Sequence, residues 1–144
     1  IDVAAQLMLR GAVIDDFAAI EHAYAPPYAP ALDPLAVLAM AAANQVEGIE
    51  SVAPLTDLGR ETVLDVRVEA EREERPLTAG SLHEIEASEL HRRADEIPDG
   101  PLLVACAHGT RSAEVVRWLT HRGVHARYLG GGVSWRVRAL QRPE

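Results

Sequence analysis

Cys106 is the only cysteine among 144 residues, and its neighbours are those a reactive thiol needs. It follows the apolar run "PLLVA" and precedes His108, Gly109, Thr110, Arg111 and Ser112. The pattern reads as a buried strand, a tight loop and a helix. Cys106 is therefore expected beyond the carboxyl end of a strand, where open parallel sheets place their sites. First-turn N–H groups of a helix lack internal partners and carry a partial positive charge. A loop curling from Cys106 to a helix that starts at Ser112 would turn its own N–H groups inward as an anion-binding nest. Gly109 permits the curl, and Arg111 adds a full positive charge at the rim. Such surroundings favour the thiolate, the nucleophilic form, over the thiol. The expected site is a surface cradle rather than a core contact. Cys106 is its nucleophile, and Ala107, His108, Gly109, Thr110, Arg111 and Ser112 surround the substrate.

The spacing narrows the chemistry. Four residues separate Cys106 from Arg111. Cysteine phosphatases use a longer loop, sized for a tetrahedral phosphoryl group. The shorter cradle suits a smaller anionic tip, such as a terminal sulfur. Two alternatives stay open from the residues alone: arsenate or phosphate-ester chemistry at the same loop, and a non-catalytic regulatory or interaction module that keeps the loop as an anion site.

Composition excludes several classes. With 22 acidic against 14 basic residues the net charge is −8, opposite to the balance of a nucleic-acid binder. The charged stretch "VRVEAEREERP" reads as a solvated surface. One cysteine rules out an internal disulfide and a multi-cysteine metal site, and it suits a reducing compartment; a cytoplasmic location is expected. His121 and His125 are spaced like zinc ligands but lack cysteines or an acidic pair to complete a site, so no metal is expected. No apolar run is long enough to span a bilayer, and no membrane partner is expected.

The elements that must position the cysteine begin at about residue 61. "TVLDVRV" reads as a strand and "ASELHRRADEI" as a helix capped by Ser88. "PLLVACA" reads as a buried strand, "SAEVVRWLTHRG" as a helix ending at Gly123, and "VHARYL" as a strand. "GGGVSWRVRAL" is a Gly-rich turn into a last helix. Strands alternating with helices predict an α/β fold with a mainly parallel sheet. Trp118 and Trp135 read as core or helix-packing residues, and Asp65 with Arg67 as a structural ion pair.

Residues 1–48 follow a different grammar, rich in alanine and poor in charge. "IDVAAQLMLRGA" reads as a helix stopped at Gly11, and "DDFAAIEHA" as a second helix capped by Asp15. The proline- and tyrosine-rich "YAPPYAPALDP" is extended. Asp33 caps a third helix with Pro34 in its first turn. That helix is apolar nearly all round, which calls for burial on more than one side. Residues 49–60 read as a linker or a leading strand.

Residues 60–142 closely resemble a rhodanese homology domain. The resemblance rests on "LDVR", on "CAHGTRS" with the following "AEVVRWLTHRGV", and on "YLGGGVSW". It implies a sulfurtransferase with Cys106 as persulfide carrier. In this family a Gly-His-Ile-Pro-Gly-Ala segment is usual; here the chain reads "REERPLTAGSLHEIEASEL", with Glu86 where proline is common. Residues 1–48, above all "YAPPYAPALDPLAVLAMAAANQ", resemble the C-terminal end of the dimerisation domain of FAD-dependent pyridine nucleotide-disulfide reductases, in the coenzyme A-disulfide reductase and NADH oxidase branch. The chain begins at Ile1 inside a helical pattern and reads as the tail of a larger enzyme. No glycine-rich dinucleotide fingerprint occurs in it. The resemblance therefore implies that FAD, NAD(P)H and possibly coenzyme A are bound elsewhere in that enzyme, with no cofactor residue in this chain. It further implies a homodimer formed through residues 1–48, with Tyr24 and Tyr28 near an active site or in the subunit interface.

Overall fold

The computed structural model describes residues 2–21 and 33–141. Tyr24 and Tyr28 lie outside them, as does most of the proline-rich stretch. The chain divides into two compact units, Ile1–Gly48 and Ile49–Glu144.

The first unit holds helices α1 (Asp2–Leu9), α2 (Ile14–Ala18) and α3 (Pro34–Val46). Asp33 caps α3 as expected, its Oδ1 accepting from Leu35 N at 2.8 Å. α2 starts one residue before Asp15, because Asp16 Oδ2 accepts from Val13 N at 2.9 Å and closes the first turn there. Only Ala36 and Ala39 of α3 are buried, whereas Leu38 is 68% and Val46 80% exposed. Met8 and Leu9 at the end of α1 are equally open. Among the described residues of this unit, these apolar side chains are largely uncovered.

The second unit is an α/β fold around a five-stranded, all-parallel sheet in the order β1-β5-β4-β2-β3. Its strands are β1 (Glu50–Val52), β2 (Thr62–Asp65), β3 (Ser81–Glu84), β4 (Leu102–Ala105) and β5 (Ala126–Leu129). Its helices are α4 (Glu69–Glu74), α5 (Thr110–His121) and α6 (Gly132–Leu140). Residues 49–60 are not a linker: Glu50–Val52 pair with β5, and Ile49 and Leu58 are core residues.

The alternation of side chains decides which face each strand residue serves. Leu64, Leu102, Val104 and Cys106 face the cluster built with Val115, Val116 and Leu119 of α5. Val63, Leu103 and Ala105 face the other cluster, with Val133 of α6 and Leu58. With both faces covered, β4 is an uninterrupted apolar run, as central parallel strands are.

One expectation fails here, and two stretches form elements that were not expected. The helix expected over 87–97 is a set of turns followed by a 3-10 turn, Ala94–Glu96, so Ser88 caps no helix. Its apolar positions keep helical spacing, but the chain is tied at its start by Ala87 N donating to Val66 O at 3.2 Å. Tertiary contacts override local propensity. The stretch read as a solvated surface forms α4, none of whose residues is buried, and only Val66 and Arg67 before it are covered. The segment that departs from the usual family sequence forms β3, paired in register with β2.

Candidate active site

β2 and β4 are neighbours, yet the connection after β2 leads outward to β3 and that after β4 leads the other way to β5. Their carboxyl ends therefore flank a topological switch point, the place where open α/β sheets hold their ligands. Cys106 follows β4 and Asp65 ends β2.

Parity places Cys106 on the α5 face, so its sulfur meets the start of that helix. α5 begins at Thr110, two residues earlier than expected, behind Gly109 with φ of 98°. Only glycine adopts that conformation without strain. Gly109 N donates to Cys106 Sγ at 3.1 Å and Ser112 N at 3.4 Å. Ser112 Oγ donates to Gly109 O at 2.9 Å and lies 3.3 Å from Sγ. A hydroxyl has one proton. While it is engaged on Gly109 O, a thiol at Cys106 is the donor toward Ser112 Oγ; on ionisation the hydroxyl is free to turn to the sulfur.

The helix that follows β5 orients the other side of the loop. Val133 N donates to Cys106 O at 2.9 Å, and Ser134 N donates to Ala107 O at 3.0 Å. Because a trans peptide points its C=O and N–H in opposite directions, the N–H groups of Ala107 and His108 face away from α6. The close approach depends on Gly132. A Cβ there would lie 2.5 Å from the carbonyl carbon and oxygen of Ala107 and from His108 N.

The loop residues expected around the substrate thus fall into distinct places. Cys106, Ala107, Gly109 and Ser112 are buried, whereas His108 and Thr110 are exposed. Cys106 is not on a surface cradle. It is 0% exposed and part of the core cluster beneath α5.

Arg111 differs from expectation too. Its Nη2 donates to both carboxylate oxygens of Glu71, at 2.6 and 2.8 Å. The rim cation is therefore paired. Arg111, mainly by this hydrogen bond, holds the Glu71 carboxyl below its ordinary range, and Glu71 in turn raises Arg111. The sign follows: the pair's contribution to stability is present above the usual carboxylate range and is lost as pH falls through the lowered Glu71 value.

Sequence reasoning missed Glu71, and Arg67 explains its position. Arg67 and Asp65 form a buried ion pair of 2.6 Å, with side chains 2% and 0% exposed. Arg67 Nε also donates to both Asp65 oxygens, and Nη1 donates to Glu71 O at 3.0 Å and Arg75 O at 2.7 Å. The motif "LDVR" therefore fastens α4 over the end of β2. Arg72 Nη1 donates to Arg67 O. Arg75 Nη1 reaches Ser134 Oγ at 2.7 Å and ties this segment to α6.

Two cavities flank the loop. One of 280 Å³ is lined by Glu71, Arg75, Ala107, His108 and Ser134 among others. The other, 300 Å³, lies against Leu90, His91, Arg111, Val115 and Trp118. A larger cavity of 520 Å³ lies by Pro101 and His125, at the amino ends of β4 and β5 and away from the cysteine. Trp118 is partly buried, stacked on His91 at 4.9 Å with Arg122 over its ring at 4.8 Å. Trp135 is not a core residue; it is 53% exposed. Among the described residues no group of three or more His, Cys, Asp or Glu side chains is placed to hold a metal ion.

The fold is similar to that of solved structures. No protein-family model and no curated protein matches the chain. Reduced Bacillus anthracis CoADR-RHD matches with a TM-score of 0.76 at 26% identity, over 96% of this chain and 26% of that one. A NAD-dependent persulfide reductase from A. fulgidus matches with a TM-score of 0.71 at 39% identity, over 93% of this chain and 24% of that one. A rhodanese-related protein from Thermoplasma volcanium matches with a TM-score of 0.57 at 30% identity, over 65% of this chain and 95% of that one. The chain belongs to the rhodanese family. It spans about a quarter of the length of the first two structures and fits a rhodanese domain at a reductase's tail. The rhodanese fold is its all-parallel sheet flanked by helices. No helix among the described residues is long and apolar enough to cross a membrane.

Proposed function

We propose that the rhodanese domain is a sulfurtransferase that carries sulfane sulfur as a persulfide on Cys106. The observation that carries this reading is the convergence of Gly109 N–H and Ser112 N–H on the one thiol of the chain, at a switch point of the sheet. With thiosulfate as donor, the Cys106 thiolate attacks the outer sulfur. A sulfur–sulfur bond forms to Cys106, the sulfur–sulfur bond of thiosulfate breaks, and sulfite leaves with its electron pair. Cyanide or a thiolate then attacks the outer sulfur of the persulfide, and the Cys106 thiolate leaves. No net oxidation occurs at the cysteine over the cycle. The two N–H donors and the Ser112 hydroxyl stabilise the charge on the leaving sulfur, which is where fixed donors contribute most. Polysulfide or coenzyme A persulfide serves as donor by the same steps.

In this reading residues 1–48 are the end of a reductase dimerisation domain, and the chain is the tail of a cytoplasmic FAD- and NAD(P)H-dependent disulfide or persulfide reductase. The likeness to the NAD-dependent persulfide reductase supports it. FAD, NAD(P)H and coenzyme A belong to other domains of that enzyme, since the chain has no dinucleotide fingerprint. Its partners are small sulfur compounds rather than nucleic acid or membrane. A transfer through a covalent intermediate gives ping-pong kinetics. Parallel double-reciprocal lines for thiosulfate against cyanide are expected, and intersecting lines contradict the mechanism.

The exposed apolar residues of α1 and α3 support a homodimer through residues 1–48. Sedimentation of the chain is expected to give a dimer, and of residues 49–144 a monomer. A monomeric full chain, well folded at high concentration, contradicts this assembly.

A further inference from the structure

Glu71 lies outside the cysteine loop, yet its carboxylate holds the loop's only arginine through both oxygens. It does not sit there by chance of a free surface side chain. Its own carbonyl accepts from the buried Arg67, and its Oε2 also accepts from Val68 N at 3.2 Å, closing the first turn of α4. Of the cations lining the cavity beside Glu71, Arg67 is engaged on Asp65 and Arg75 on Glu74 and Ser134, and Arg138 stands farther along the same wall on α6. The Glu71–Arg111 pair joins the rims of the two cavities beside the loop, because Glu71 lines one and Arg111 the other.

The geometry points to Glu71 as a specificity-determining residue that sets the charge of the sulfur donor the cradle accepts. This rests on the reading of Cys106 as a sulfur carrier. The pair has no net charge, so Arg111 adds little to the attraction for an anion, which is left to the partial charges of the loop N–H groups and to Arg138 on the cavity wall. A donor with one negative charge, such as an organic persulfide, is held back less than a dianion. A small dianion such as thiosulfate meets a carboxylate already seated on the guanidinium and gains little from its second charge. Glu71 is thereby a selector whose cost to a sulfane donor rises with the donor's negative charge, least for neutral donors and greatest for dianions.

Alkylation of Cys106 tests this without turnover. Iodoacetate and iodoacetamide react alike, the sulfur bonding to the methylene carbon as iodide leaves, but only iodoacetate carries a charge. Glu71→Gln keeps an oxygen for Val68 N and removes the charge. It is expected to speed iodoacetate about fivefold, the worth of one unit charge a few ångströms away in a solvated setting, and to change iodoacetamide less than twofold. Glu71→Ala, which gives up the Val68 contact, is the second variant and carries the same expectation. In turnover, Glu71→Gln is expected to lower KM for a singly charged persulfide donor by a similar factor and for the thiosulfate dianion by a larger one. Equal changes for the two alkylating reagents overturn the proposal. If the alkylation ratio shifts but Cys106 takes up no sulfur, the sulfurtransferase reading fails and the charge selection by Glu71 stands.

Discussion

Cys106→Ser is expected to reduce thiosulfate:cyanide turnover to background while the protein stays folded. The first part follows from chemistry, because a serine oxygen in this place forms no persulfide. The second follows from the site. The residue is fully buried, but its side-chain atom already has polar partners in Gly109 N, Ser112 N and Ser112 Oγ. A hydroxyl there is hydrogen-bonded rather than stranded, so the loss of stability is expected to stay near about 1 kcal/mol. Urea unfolding beside the activity assay measures both. Retention of most turnover by the variant removes Cys106 from the mechanism.

Asp65→Ala is expected to be the most destabilising single change near the site. It removes the carboxylate that takes three hydrogen bonds from the Arg67 side chain and one from its backbone N–H. The guanidinium is left buried with two backbone carbonyls and no counter-charge. Breaking a buried pair from one side costs about 3–5 kcal/mol. The functional loss has a separate route: Arg67 fastens α4, α4 carries Glu71, and Glu71 holds Arg111. A fall in the urea midpoint with altered charge preference of the donor is expected. A variant as stable as the parent contradicts the role given to the pair.

The cysteine loop was legible because its local rules and its tertiary role agree. An apolar run, a glycine that must take positive φ, and a helix start force the same strand–loop–helix geometry wherever they occur. The succession of β2, β4, α5, β5 and α6 along the chain followed from the same signals. What was not legible depended on contacts across the chain. In "VRVEAEREERP" every charged residue looks equally solvated, and nothing local says that Glu71 faces Arg111, forty positions on. The glutamate three residues after Val68 was the one available signal, since an acidic side chain there closes a helix's first turn. The false helix over 87–97 has the reverse cause. Its spacing is helical, but the backbone bond from Ala87 to Val66 sets the path instead. The depth of Cys106 was missed because strand parity, not the polarity of its neighbours, turns its side chain into the α5 cluster.

The central claim is that sulfur travels on Cys106. Intact-mass measurement of the chain after incubation with thiosulfate or an organic persulfide, followed by removal of excess donor, tests it most directly. The account predicts a gain of one sulfur atom that maps to Cys106, disappears on adding cyanide, and is absent from Cys106→Ser. A folded protein that gains no sulfur from either donor, or gains it equally in Cys106→Ser, contradicts the account.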